Sequence, residues 1–224
     1  MLNIISLNIG KGWYRKKTLV ENLINVSEPD IVLLQETGKT KIKMENYSVI
    51  QQLGSEGKIG LTTLIRSNIV YIELDLTAHT KPGTFFLGIA IAEGNNRTTH
   101  VVNCYIRANS IDTNALKEVL QLNTNSFIFG DLNSKLDIAQ HIRTNHNGIR
   151  LQDCIDEGEI AVAYPSNFTR IGQNAQNSSI IDLVLTNHER LGRIIDLTTG
   201  EDVGSDPLPV TLILRQTVHR TKPT

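Results

Sequence analysis

The chain has 224 residues, 40% of them hydrophobic and 20% charged, with a formal net charge of −1. That suffices for one large globular domain or two small ones with a sizeable core, and no stretch reads as a linker. It excludes a global basic field, so binding a polyanion would need local patches.

In chain order, the run 2–7 is strand-like, and it is too short and too polar for an export signal, so an intracellular protein is expected. No run approaches membrane-spanning length. Residues 17–27 carry Leu19, Val20, Leu23 and Ile24 at helical spacing, and Pro29-Asp30 stops that helix. Strand-like runs follow over 31–35, 47–52, 59–66, 69–76, 84–92 and 99–106. Cys104, in the last of these, reads as a small buried hydrophobe; with Cys154 as the other cysteine, a disulfide framework is excluded. A second helix is expected over 113–122, with Leu116, Val119 and Leu120 as its apolar stripe, and a third over 150–157. The remaining strand-like runs are 126–130, 160–163, 180–186 and 208–214. Many strands with few helices predict a mixed α/β layered sandwich rather than a doubly wound parallel sheet.

The polar residues collect where strands end. Ser126-Phe-Ile-Phe129 runs into Gly130-Asp131-Leu132-Asn133, which puts a carboxylate and an amide at a strand–loop junction. Phosphodiester chemistry needs such a place: an anion to aim or activate a water, and an amide to hold it. The same residues also serve ordinary turns. Asn8, Gln35-Glu36, Tyr105-Ile-Arg107, Ser179-Ile-Ile-Asp182 and Gly204-Ser-Asp-Pro-Leu-Pro-Val210 sit beside other strands. Each alone reads equally as a cap, a solvated acid, a satisfied hydroxyl or a turn; six in this order point to a site. The basic groups Lys11/Arg15/Lys16/Lys17 and Lys39/Lys41/Lys43 are either local anion patches or solvated faces.

In this order the motifs resemble the endonuclease/exonuclease/phosphatase superfamily, which includes DNase I, AP endonucleases of the exonuclease III type and inositol polyphosphate phosphatases. The resemblance runs from Leu2 to about Leu214 and is strongest to the endonuclease domain of non-LTR retrotransposons. The closest stretches are Pro29-Asp-Ile-Val-Leu-Leu-Gln-Glu36, Asn147-Gly148 leading to Leu151-x-Asp153, and Tyr164-Pro-Ser-Asn-Phe-Thr-Arg170 followed by Ser179-Ile-Ile-Asp182.

The resemblance implies a four-layered α/β sandwich of two mixed, mostly antiparallel β-sheets flanked by helices, over residues 1–215, with 216–224 as a tail or linker stub. It implies Mg²⁺, or Mn²⁺, held chiefly by Glu36 with Asn8 and Asp206 lining the same site. Asp131 would position or deprotonate the attacking water, Asn133 would hold the scissile phosphate, and Tyr105 would touch that phosphate or stabilise its developing charge. Thr169, Arg170, Ser205 and Arg107 are further phosphate contacts, and Asp182 would orient a catalytic histidine. The implied activity nicks one strand of double-stranded target DNA, leaving a 3′-hydroxyl that primes reverse transcription. A larger polyprotein with a reverse transcriptase is implied, nuclear at the time of action and otherwise cytoplasmic, neither secreted nor membrane-bound. AP endonuclease, phosphoinositide phosphatase and catalytically inactive DNA-binding module are the alternatives.

The chain departs from the family pattern at its last motif. Ser-Asp-His becomes Ser205-Asp206-Pro207, and proline can neither donate a hydrogen bond nor move a proton. A general acid–base group typically contributes ~10²–10⁴-fold in rate. The loss reads as an introduced inactivating change, as decay of a mobile-element copy, or as a role passed to His188 or His219. Arg107 stands where the family often has proline. The polar segment Gln173–Ser179 corresponds to a hairpin that reaches into a DNA groove, or is an ordinary solvent loop.

Overall fold

A computed structural model describes residues 1–10, 12–54, 59–94, 97–137, 144–172, 178–201 and 207–221. The chain runs β1 (Leu2–Asn8), α1 (Trp13–Ser27), β2 (Ile31–Gln35), β3 (Tyr47–Gln52), β4 (Leu61–Arg66), β5 (Tyr71–Leu74), β6 (Thr84–Ala92) and β7 (Thr98–Ile106). It continues through α2 (Thr113–Gln121), β8 (Ser126–Asp131), α3 (His146–Asp156), β9 (Ala161–Ala163) and β10 (Asp182–Thr186). A 3-10 helix (His188–Arg193), β11 (Ile194–Thr199) and β12 (Val210–Leu214) complete it.

Two six-stranded sheets result, ordered β11-β12-β1-β2-β4-β3 and β5-β6-β7-β8-β10-β9. Each contains one parallel pair, β1 with β2 and β7 with β8, among otherwise antiparallel neighbours. Parallel neighbours need a crossover, and α1 and α2 supply the two. β2 is buried along its whole length, the mark of a central strand covered on both faces. One apolar cluster fills the space between the sheets, with Ile4, Leu33, Ile89 and Phe127. A second packs α2 and α3 on β8 and β10, and a third packs α1 on β1 and β2. The layers are therefore helix, sheet, sheet, helices, the four-layered α/β sandwich expected. Among the described residues no helix is long and apolar enough to cross a membrane.

Most strand boundaries fall within one or two residues of the sequence reading, the usual fraying of ends. Two helices begin four residues earlier than expected. In α1 the extra turn exists because Trp13, only 5% exposed, packs with Val20 and Ile24; burial of a side chain that size stabilises by roughly 1.5–3 kcal/mol or more. Glu28 then ends α1 in the left-handed region (φ 42°) before Pro29. In α3 the weak helix formers His146-Asn-Gly148 form the first turn because the Asn145 side chain accepts the Gly148 N–H at 2.9 Å. β11 was not anticipated. It is a half-exposed edge strand whose alternation, broken by Asp196 at a bulge, is too faint to read.

The sheets are also joined through polar groups. The Gln35 amide donates to Asn103 Oδ1 at 2.8 Å and to Ser6 Oγ at 3.1 Å, and Asn103 donates to the carbonyls of Leu34 and Thr62. All three side chains are fully buried. A hydrogen-bonded amide pair in such a place fixes how the sheets register against each other.

Candidate active site

The carboxyl ends of the two parallel pairs open at the same end of the sandwich, where parallel sheets commonly hold ligands. β1 ends in Asn8, β2 leads into Glu36, β7 carries Tyr105 in its last turn of pleat, and β8 ends in Asp131. Each of the two parallel pairs thus delivers two polar side chains, one at each strand end.

These four meet. The Asn8 amide donates to Asp131 Oδ2 at 2.8 Å and to Glu36 Oε1 at 3.3 Å, while its own oxygen accepts the Gly10 N–H at 2.9 Å. Tyr105 donates its hydroxyl to the same Glu36 oxygen at 2.9 Å. Asp131 Oδ1 accepts the Asn133 N–H at 3.0 Å. One amide thereby stands between two carboxylates, facing them with N–H rather than oxygen. Glu36 (φ 54°) and Asn133 (φ 46°) both occupy the left-handed region without being glycine, a conformation that costs energy and is held by its surroundings.

Burial pushes the Asp131 carboxyl up to about 6, and the neighbouring Glu36 charge adds to this; hydrogen bonds from Asn8 and Asn133 and the charge of Arg170 pull the other way. Tyr105 is raised too, first by burial and then by the Glu36 charge, so it stays protonated and remains a donor. Cys104, beneath them, is fully buried and its thiol is raised by burial and by Asp131.

Asp182 opens β10 directly across from Asp131 in register and is fully buried. Its N–H and that of Ile181 reach Thr169 Oγ1 at 3.4 and 3.0 Å. The buried Thr169 hydroxyl therefore organises the turn into β10. Arg170 and Ser179 form an antiparallel bridge across the segment's base; residues 173–177 lie outside the described residues. Leu208 donates to the Thr169 carbonyl at 2.6 Å, which ties the buried Pro207 segment beside the strand carrying Asp182. Ser205 and Asp206 lie outside the described residues, as does Lys11. Arg107 is exposed and lays its guanidinium 5.6 Å from the centre of the Phe85 ring. His188 and His219 sit at the other end of the molecule, at the end of β10 and beside Val70 and Ala92.

The sequence motifs contain the residues that hold this frame, Asn147, Asn133 and Gly130, but do not show what they hold. Asn147, fully buried, accepts from Ser110 and Ile111 and donates to the carbonyls of Arg107 and Leu132, which locks the loop after β7 to the loop after β8. Asn133 gives an amide hydrogen to the Ile106 carbonyl at 2.7 Å. Gly130 is the third support: a Cβ there would lie 2.0 Å from the Cys104 carbonyl oxygen. The signal available was the density of Asn near the Gly-Asp-x-Asn motif, which turns alone would also explain.

Among the described residues no three His, Cys, Asp or Glu side chains cluster as a metal centre would. Glu36 and Asp131 form a two-carboxylate set of oxygen donors, one or two carboxylates being what Mg²⁺ takes when substrate phosphate and water complete its shell. Burial first, and then the Glu36 charge, raise Asp131, and a divalent cation beside them favours its ionised form. The donor chemistry fits such an ion.

The fold is shared with several solved nucleases. The endonuclease domain of TRAS1, a telomere-specific non-LTR retrotransposon, superposes with a TM-score of 0.74 at 14% identity, covering 96% of this chain and 98% of that one. The AP endonuclease LMAP from Leishmania major gives 0.74 at 13% identity over 96% and 88% of the chains. An AP endonuclease from Archaeoglobus fulgidus gives 0.67 at 17% identity over 96% and 100%. No curated protein sequence matches the chain significantly. The endonuclease-reverse transcriptase family model matches residues 99–211, from β7 and its Tyr105 through Asp131 and Asp182 to β12. With that match over half its length and this nuclease fold, the chain belongs to the endonuclease-reverse transcriptase family of the endonuclease/exonuclease/phosphatase superfamily.

Proposed function

We propose that the chain is a metal-dependent DNA endonuclease that nicks one strand of duplex DNA to leave a 3′-hydroxyl for reverse transcription, with its activity impaired by Pro207. The observation that carries this is the hydrogen-bonded set Asn8–Glu36–Tyr105–Asp131 at four strand ends. Family membership and the TRAS1 likeness support DNA as the substrate and a reverse-transcriptase polyprotein, acting in the nucleus, as the context.

Mg²⁺ or Mn²⁺, held by Glu36 with Asp206 and Asn8 lining the same site, would supply Lewis-acid stabilisation of phosphoryl charge, and Asn8 would ligate it only by turning its amide oxygen from Gly10 to the ion. The protein's own groups divide the rest. Asp131, pushed up to about 6, ionises in the range where a carboxylate can take a proton from water near neutral pH. Tyr105, kept protonated, offers its O–H to charge developing on a phosphate oxygen. Asn133, whose backbone N–H goes to Asp131 and one of whose amide hydrogens goes to the Ile106 carbonyl, would hold the scissile phosphate. Asp182 is the carboxylate that the family uses to orient histidine, and here its motif partner is Pro207.

The test is nicking of supercoiled plasmid in Mg²⁺ by the chain, by Pro207→His, and by Glu36→Ala in the Pro207→His background. The expected result is a gain of roughly 10²–10⁴-fold for Pro207→His and its abolition by Glu36→Ala. A Pro207→His protein as inert as the parent overturns the proposal. Pro207 also favours a second reading, a DNA-binding module that no longer cuts; duplex binding by the parent without nicking, and without gain in Pro207→His, would establish it.

A further inference from the structure

A cavity of about 190 Å³ lies beside the four-residue site, lined by Phe85, Arg107, Gln52, Leu53, Ile59 and Gly60. It touches the site twice. Phe85 and Tyr105 are register partners on β6 and β7, their ring centres 6.5 Å apart, and the Tyr105 hydroxyl ends on Glu36. On the other wall Thr37, the residue after Glu36, donates to the Gly60 carbonyl at 2.9 Å, and Gly54 donates to Gly38 at 3.0 Å. The cavity is thus one side chain away from the carboxylates.

Its walls have a definite chemistry. Phe85 offers a ring and Arg107 a flat cation lying over it. Leu53, 44% exposed, and Ile59 supply an apolar rim. The wall at Gly60 is bare backbone, since a Cβ there would come within 2.4 Å of the Gly38 carbonyl oxygen. Arg107 is held from its backbone: its N–H donates to Gly83, and its carbonyl accepts from Ser110 and Asn147. A phosphate pocket would gather several donors around one charge. This one pairs a single cation with an aromatic ring and an apolar rim, which suits a heterocycle that stacks. Gln52 and Arg107 can bond base edges at its mouth.

We propose that this cavity receives the base of the nucleotide adjoining the scissile phosphate and so contributes to the choice of nicking site, an assignment that rests on the endonuclease reading above. The base stacks between the Arg107–Phe85 pair and the Leu53–Gly54 wall.

The experiment uses duplexes randomised around the nick mapped with Pro207→His, and the same duplexes carrying 2-aminopurine at each position for binding to the unaltered chain. Phe85→Ala, Phe85→Leu and Arg107→Gln are compared, the leucine variant keeping apolar volume while removing the ring. The expected result is a fluorescence change on binding at one position beside the nick. Both Phe85 variants abolish it, with affinity falling roughly 10- to 100-fold, and Arg107→Gln flattens base preference at that position. If Arg107→Gln instead weakens all sequences alike, lowering the salt slope by about one with preference intact, Arg107 is a phosphate contact and the proposal is overturned. Unchanged preference and fluorescence in all three variants overturn it as well. If neither the chain nor Pro207→His binds duplex DNA, the endonuclease reading falls and takes this assignment with it.

Discussion

The two ends of the sandwich treat buried carboxylates in opposite ways. At the end away from the site, Glu93 receives hydrogen bonds from Thr99 and Asn125 and the Arg193 guanidinium at 3.4 Å. Burial pushes its carboxyl up, but these partners outweigh burial and hold it below its usual range. Asp30, at the start of β2, accepts the Asn3 N–H and pairs with Arg220 at 2.8 Å, with Arg66 at 3.8 Å. At the site end, Glu36 and Asp131 face each other across one neutral amide, and Asp131 rises instead of falling. The sandwich therefore neutralises its acids where they only hold the chain together. At the strand ends it leaves Asp131 buried beside a second carboxylate, at a cost in stability that the rest of the core offsets.

The comparison breaks most visibly in activity. In the Pro207→His background, Glu36→Gln should lower plasmid nicking by roughly 10³-fold, with the melting temperature unchanged or raised because a like-charge contact is removed. Asp131→Asn should also stop nicking while stabilising the fold. The folded protein holds the Asp131 proton more tightly than the unfolded chain, about 6 against 3.8, so this residue's contribution to stability falls as pH rises across that window. The full effect is about 3 kcal/mol by the shift, so denaturant titrations of Asp131→Asn and parent should coincide near pH 4 and diverge by pH 7. Nicking by Pro207→His should fall on acidification as Asp131 takes up its proton, at a lower pH than in the metal-free protein because a bound cation favours the carboxylate.

At the far end the sign reverses. Arg193→Ala should destabilise by about 1–3 kcal/mol, since it strips a mostly buried Glu93 of its cation; nicking below the melting temperature should stay at the level of its background. Glu93, held low, stabilises above its unfolded pKa and loses that contribution on acidification, so Glu93→Gln should flatten the acid side of the stability profile that Asp131→Asn leaves intact. The smallest effect is expected for Tyr105→Phe, which removes one hydrogen bond to Glu36 and should change stability by less than about 1 kcal/mol. A Tyr105→Phe protein that melted several degrees lower would mean the tyrosine holds the fold rather than serving the site.

Legibility followed the kind of signal. β2 and β8 were plain because each is a short, fully buried apolar run ending in polar residues. β11 was hidden because an edge strand needs no apolar alternation to pair with β12. The first turns of α1 and α3 were hidden because one depends on what Trp13 meets and the other on a cap from Asn145. Asn8, Glu36, Tyr105 and Asp131 could be named from their strand ends and order. Asn103 could not, and Asn147 and Gly130 stood in their motifs without their structural roles, because an amide bridging two loops and a glycine facing a carbonyl look in sequence like any turn residue.

By itself, then, the sequence determined the inventory: which strands are buried, which residues end them, and that proline occupies position 207. Those follow from hydrophobic periodicity and residue chemistry, which are local. Only the tertiary structure decided that one amide would stand between Glu36 and Asp131, that Asp131 would ionise near neutrality, and that Arg107 would lie on Phe85 beside them. The physical reason is that charge repulsion, desolvation and stacking depend on distances between segments as far apart as 28 and 123 residues. Such distances are set by how two sheets pack, not by any one stretch of chain.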